Sequence, residues 1–232
     1  MDPGLTMRLA QATSAETADA AVVLVPVGSV EQHGPHLPLE TDTIIATAVA
    51  AGAAERLGGR GAGVWVAPPL TYGSSGEHQS FPGTSSIGTE TLRGVVVELV
   101  RSLRTWAARV VLVNGHGGNL TALREAVAQL VDEGHDVAWV ACATEDVDLH
   151  AGRTETSLLL HLAPWSVRRD RAEAGNTQPL PEILPALMSG GVAAVSANGV
   201  LGDPAGASAA EGRAVLESMV DDVVARTTAA SR

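Results

Sequence analysis

Lysine is missing from this chain: all 15 basic residues are arginine, against 26 acidic ones, for a formal charge of −11. Such a balance leaves no basic face for phosphate backbones or anionic membrane surfaces, so neither nucleic acid nor membrane is an expected partner. The missing lysine also removes the phosphate-loop chemistry that the glycines of Gly199-Val-Leu-Gly202 would otherwise invite. Aromatic residues are only 3% of the chain while the apolar set reaches 45%, so the core must be built from Ala, Val and Leu. The single cysteine, Cys142, excludes an intrachain disulfide, and in the apolar run 137–143 it reads as a small core residue. No apolar run approaches the roughly 20 residues that span a bilayer, and no basic, apolar and cleavage-site sequence marks a signal peptide. A cytoplasmic protein is expected.

What is present is a regular alternation. Apolar strands are predicted over 21–27, 64–67, 110–113 and 137–143, and helices over 43–57, 90–107, 120–132, 156–162 and 209–227. Asp42 or Thr43 starts the first helix and Gly58-Gly59 stops it. Residues 1–20 read as a short helix or a loose arm, 168–185 as an irregular excursion rich in charge and proline, and 199–206 as a loop. Short, uniformly apolar strands alternating with helices predict an α/β fold of three layers, a mostly parallel central sheet with helices on both faces. With no polar linker long enough to divide them, the 232 residues read as one domain.

In parallel sheets, ligands bind beyond the carboxyl ends of the strands. Five of the seven histidines sit in loops leaving strands: His33, His36, His78, His116 and His150. The first such loop, Glu31-Gln-His33-Gly-Pro-His36 running on to Thr41-Asp42, gathers carboxylates and imidazoles, the donors that hold zinc-class ions. Glu31 and His33 lie two apart, so extended backbone projects both to one side. The second is Asn114-Gly-His116-Gly-Gly-Asn119, and the third His150-Ala-Gly-Arg-Thr-Glu155-Thr-Ser157. Plainer readings stay open for each alone: Asp42 as a helix N-cap beside a surface turn, and Glu155 in the first turn of a helix capped by Thr154. Three such loops at strand ends together favour a metal site. Glu77-His78 lies in the Gly/Ser-rich loop 71–88, which suits a segment covering substrate or a structural turn. His135 in a charged turn and His161 within a helix have ordinary explanations, and Ser74, Ser75 and Ser80 lack the Gly-x-Ser-x-Gly elbow of a serine hydrolase.

The three loops, together with Phe81-Pro-Gly-Thr84, resemble the creatininase (creatinine amidohydrolase) family from residue 21 to the last helix. The resemblance implies a creatininase-like fold and metal-assisted amide hydrolysis. Two divalent ions (Zn, Fe or Mn) are implied, one held by Glu31, Asp42 and His116, the other by His33 and a bridging Asp42. It further implies that His150 gives a proton to the leaving amine, that Glu77 and His78 contact substrate, and that the protein is a homo-oligomer. Two departures stand out. The carboxylate that creatininases carry two residues after the motif histidine is here Gly118, and Glu155 is the expected replacement ligand. The tryptophan before the His150 position is here Asp146, so creatinine itself is not the expected substrate. Tyr72-Gly-Ser-Ser-Gly-Glu77-His78-Gln-Ser-Phe81, Ala174-Gly-Asn176 and Gly202-Asp-Pro204 resemble the branch that frees a C-terminal Val-Tyr dipeptide from a modified precursor peptide. Hydrolysis of a small cyclic amide or formamide is the alternative, and a non-catalytic protein with a structural metal the distant one.

Overall fold

The central strands are near-continuous runs of apolar residues, mostly valine, and the two faces they form build two cores. The computed structural model describes residues 8–143 and 148–229. Within them, strands β1 (Val22–Val27), β2 (Val64–Val66), β3 (Arg109–Asn114) and β4 (Val137–Ala141) form one sheet in the order β2-β1-β3-β4. Every pairing is parallel, with Val22 opposite both Val64 and Arg109, and Val110 opposite Val137. On one face, Val23, Val25, Val27, Val110 and Leu112 meet helices α2 (Thr89–Leu103) and α3 (Leu120–Asp132). On the other, Leu24, Val64, Val66, Val111 and Val113 meet α1 (Thr41–Arg56), α4 (Arg153–Leu162) and α6 (Ala209–Thr228). The two-residue period of a strand sorts its side chains between the layers, and the fold is the expected α/β sandwich. Pro26 is tolerated in β1 because its carbonyl points to the β2 side, where β2 has ended and Leu70 N–H is the partner. The N–H that proline lacks is therefore not needed by a ladder.

Several boundaries differ from the sequence expectation. The first helix starts at Thr41, so Asp42 lies inside its first turn and caps nothing. The fourth starts at Arg153 and takes in Glu155, while the second stops at Leu103. Residues 168–185 are not irregular throughout, for α5 (Leu180–Gly190) forms despite Pro185 within it. Pro181 sits in the first turn, where a missing N–H costs nothing, and Ile183 and Leu187 hold the helix against Val192, Leu201 and Phe81. From Arg8 onward the N-terminal segment is not loose. Leu9 and Ala12 pack on the α2–α3 core, and Thr13 and Glu16 cap one another reciprocally.

All four strands open at the same edge, and α1 is pressed directly onto the exit of β1. A Cβ on Gly28 would fall 2.7 Å from the Thr43 backbone, so only glycine admits this approach. That closeness is what carries Asp42 back towards the strand ends. Leu112 is fully buried in the middle of the sheet. We expect Leu112→Ala to lower unfolding stability by about 2–5 kcal/mol in urea titrations, and Val131→Ala, at an exposed position, to stay within about 0.5 kcal/mol of the parent.

Candidate metal centre

Asp42 sits between two imidazoles. Its Oδ1 is 3.1 Å from His33 Nε2 and its Oδ2 is 3.5 Å from His116 Nδ1. Each ring commits its other nitrogen to a backbone carbonyl: His33 Nδ1 donates to Glu31 O (3.2 Å) and His116 Nε2 to Ser74 O (3.2 Å). This is how metal-ligating histidines are oriented, with an outer acceptor fixing the tautomer and turning the inner nitrogen to the ion. Glu31 forms the opposite wall. Its Oε2 accepts from Ser29 Oγ (2.6 Å) and lies 3.1 Å from His116 Nε2, while Oε1 lies 3.3 Å from His78 Nε2 and 3.7 Å from His150 Nδ1. Glu155 Oε2 is 3.8 Å from His33 Nε2 and accepts from Ala151 N–H (2.6 Å). Ala151 itself holds a left-handed backbone (φ 53°), an uncommon conformation for alanine of the kind found at functional sites.

Three overlapping groups have ligand atoms within 4.8 Å of one another: Glu31, Asp42 and His116; His33, His150 and Glu155; Glu31, His78 and His150. Glu31 Oε1 and Asp42 Oδ2 are buried and accept no hydrogen bond, an arrangement costly for a carboxylate unless a cation completes it. Oxygen and nitrogen donors without thiolate suit a divalent ion of the Zn, Mn or Fe class. The residues fit such an ion.

Electrostatics point the same way. Burial works to lower the His33 pKa, but Asp42 and then Glu155 prevail and raise it to about 10. His116 is raised well above the usual imidazole value, against burial, chiefly by Glu31. Asp42 is lowered, its buried position overcome by His33 and His116. Glu155 is raised to about 7 by burial. Without metal, then, two imidazolium rings hold the positive charge that ions supply otherwise. His150 is different: burial and then the neighbouring His33 and His78 push it well below the usual value, so it is neutral.

The creatininase pattern, described as creatinine amidohydrolase, matches residues 6–227. The chain belongs to the creatininase family. The mycofactocin precursor peptide peptidase of Mycobacterium ulcerans (strain Agy99) is 58% identical over 208 residues, covering 88% of this chain and 83% of that protein. The creatinine amidohydrolase of Pseudomonas putida is 32% identical over 246 residues, covering 89% and 88%. A creatininase crystal structure superposes with TM-score 0.79 at 28% identity over 96% of each chain. As a creatininase-family protein the chain is a metal-dependent hydrolase acting on C–N bonds, and the cluster has the donor groups that could hold a divalent metal.

Within this creatininase-family centre the structure gathers Glu31, His33, Asp42, His116, His150 and Glu155, with His78 buried among them. Glu155, expected as the ligand that Gly118 cannot supply, stands at His33, while the space beside Gly118 itself is taken by the carboxylate of Glu77, 3.2 Å from His116 Nε2. His36 turns away to Thr156 Oγ1 (2.9 Å), and His161 is exposed. Cys142 is half-buried against the core and borders the cleft. Asp146 lies outside the described residues. Sequence reasoning missed Gln32, whose amide reaches His78 Nδ1 (2.8 Å), Gly199 O (3.0 Å) and Gly34 N–H (2.9 Å), tying three loops together. Its only signal was its place between Glu31 and His33. It also missed Asn119, which accepts from Ser74 N–H and donates to Gly28 O.

The raised His33 and Glu155 pKa values fix the pH response of metal-free protein. His33 contributes stability that is complete below about 6.5 and fades as the pH rises through about 10. Glu155, favoured in its protonated form, loses its contribution as the pH rises through about 7. The lowered Asp42 works oppositely, its contribution fading only in acid. We expect the urea midpoint of EDTA-treated protein to fall between pH 6 and 10, and added Zn2+ to displace protons measurably at pH 7.

Proposed function

We propose that the chain is a peptidase that releases the C-terminal Val-Tyr dipeptide from a modified precursor peptide. Relatives 54–58% identical to it are named mycofactocin precursor peptide peptidase. The observation that carries the reading is the cleft above the centre, a cavity of about 790 Å3. Asp42, Glu77, His78, His116, His150 and Glu155 line its floor. One wall is α5, where Leu180, Leu184 and Met188 recur every four residues with 39%, 41% and 79% of their surfaces exposed. An apolar wall of that length suits a peptide with apolar side chains and is far larger than a small cyclic amide requires.

In this reading Glu31, Asp42 and His116 would hold one divalent ion, and His33 with Asp42 and Glu155 would hold a second, each Zn, Fe or Mn. When bound, the ions supply a water acidified towards neutrality and a Lewis acid for the scissile carbonyl. His150 Nε2–H is committed to Gln32 O (2.8 Å), which leaves Nδ1 as a free base facing the centre. Nδ1 accepts the proton of the attacking water and returns it to the nitrogen of the departing dipeptide as the C–N bond breaks. Glu77 and His78 face the substrate at the floor of the cleft. The chain works as a single domain in the cytoplasm and, in keeping with its family, as a homo-oligomer.

The decisive assay offers the enzyme the precursor peptide and measures Val-Tyr-containing product by mass spectrometry. Chelation should abolish the release, and Zn, Fe or Mn should restore it. His150→Gln should lower kcat by about 10²–10⁴-fold with KM little changed. Opening of small cyclic amides, with peptides left intact, would transfer the chain to the small-amide branch of the family.

A further inference from the structure

We propose that Glu77 is a fourth carboxylate of the centre, beside Glu31, Asp42 and Glu155, seated in the volume that Gly118 leaves empty and holding the outer edge of His116. It builds on the metal-hydrolase reading above and adds a positioning residue to it. A Cβ on Gly118 would lie 2.4 Å from Glu77 Oε1, 2.4 Å from His116 Nε2 and 2.3 Å from Ser74 O. A side chain at 118 and the carboxylate of Glu77 therefore compete for one place, and this chain has filled it from the other loop.

The contact is directed at a particular atom. Glu77 Oε1 lies 3.2 Å from His116 Nε2, the nitrogen on the side away from Asp42, which is also 3.2 Å from Ser74 O and 3.1 Å from Glu31 Oε2. The opposite nitrogen, Nδ1, faces Asp42 Oδ2, a buried oxygen with no hydrogen-bond partner. A carboxylate on the outer N–H of a ligating imidazole fixes its orientation and increases the electron-donating power of the inner nitrogen. Glu77 is in that outer position.

Its own setting is built rather than incidental. Glu77 sits on the short turn Gly76–His78, and the preceding Ser74 N–H is held by Asn119 Oδ1 (2.8 Å), a residue of the His116 loop. His78, next in the chain, is buried and bonded to Gln32. Beyond α5, a Cβ on Gly191 would fall 2.5 Å from Glu77 O, so the end of that helix closes on the same turn. The loop's backbone reaches His116 only because position 118 offers no side chain.

Glu77→Gln keeps the shape and removes the charge. With Zn2+ as the probe and a chromophoric chelator as competitor, the variant should bind the ion about 10–100-fold more weakly, with an unchanged circular dichroism spectrum. Gly118→Ala, which cannot coexist with Glu77 in its present place, should show the same loss. Wild-type Zn2+ affinity in either folded variant overturns the proposal, even where KM for peptide changes, since that pattern marks a substrate contact alone. Wild-type protein that binds Zn2+ yet leaves peptides intact would remove the substrate reading while the affinity comparison still decides the role of Glu77.

Discussion

A buried carboxylate shared by two imidazoles organises this protein. Asp42 is 1% exposed, and each of its oxygens faces a histidine from a different loop. Such a group is tolerable in a dry interior only where positive charge meets it. Protonated His33 and His116 provide that charge without metal, and a bound divalent ion would provide it in their place. Much of the surrounding structure follows from presenting this one group. Gly28 lets α1 dock on the strand exit, β1 and β3 lie side by side so that their loops meet over the helix terminus, and Ser29 and two backbone carbonyls hold the remaining polar atoms in register.

Around that fixed point the molecule separates two tasks. The floor of the cleft is rigid and polar, laced by Gln32 and Asn119, whose amides join loops distant in the chain. Its wall is apolar and half-exposed, a helix held by a small cluster of its own. Chemistry requires atoms held in place, whereas recognition of a flexible chain requires area. The two demands fall on different parts of the fold.

The sheet and most of its helices were legible in the sequence because both depend on short-range patterns: uniform apolarity for parallel strands, a 3.6-residue period for helices such as α3. The clustered carboxylates and imidazoles were legible because Glu, His and Asp recur where parallel strands end. Other features depend on contacts that no local pattern encodes. The prolines of α5 read as breakers, although tertiary packing of Ile183 and Leu187 outweighs them. The start of α1 depends on its docking against Gly28. Gln32 lies between two candidate ligands with nothing in the sequence to single it out, and only the folded chain reveals that it meets His78. The exchange between Gly118 and Glu77 is equally silent, because an absent side chain leaves no mark in one sequence on what replaces it.

The wall helix has a consequence for how this scaffold diversifies. Because Ile183, Val192 and Leu201 anchor it apart from the two main cores, its outward residues are open to replacement without loosening the sheet or disturbing the buried carboxylate–imidazole cluster. Evolution, or a designer, can therefore retune which molecules enter while inheriting the bond-breaking apparatus intact.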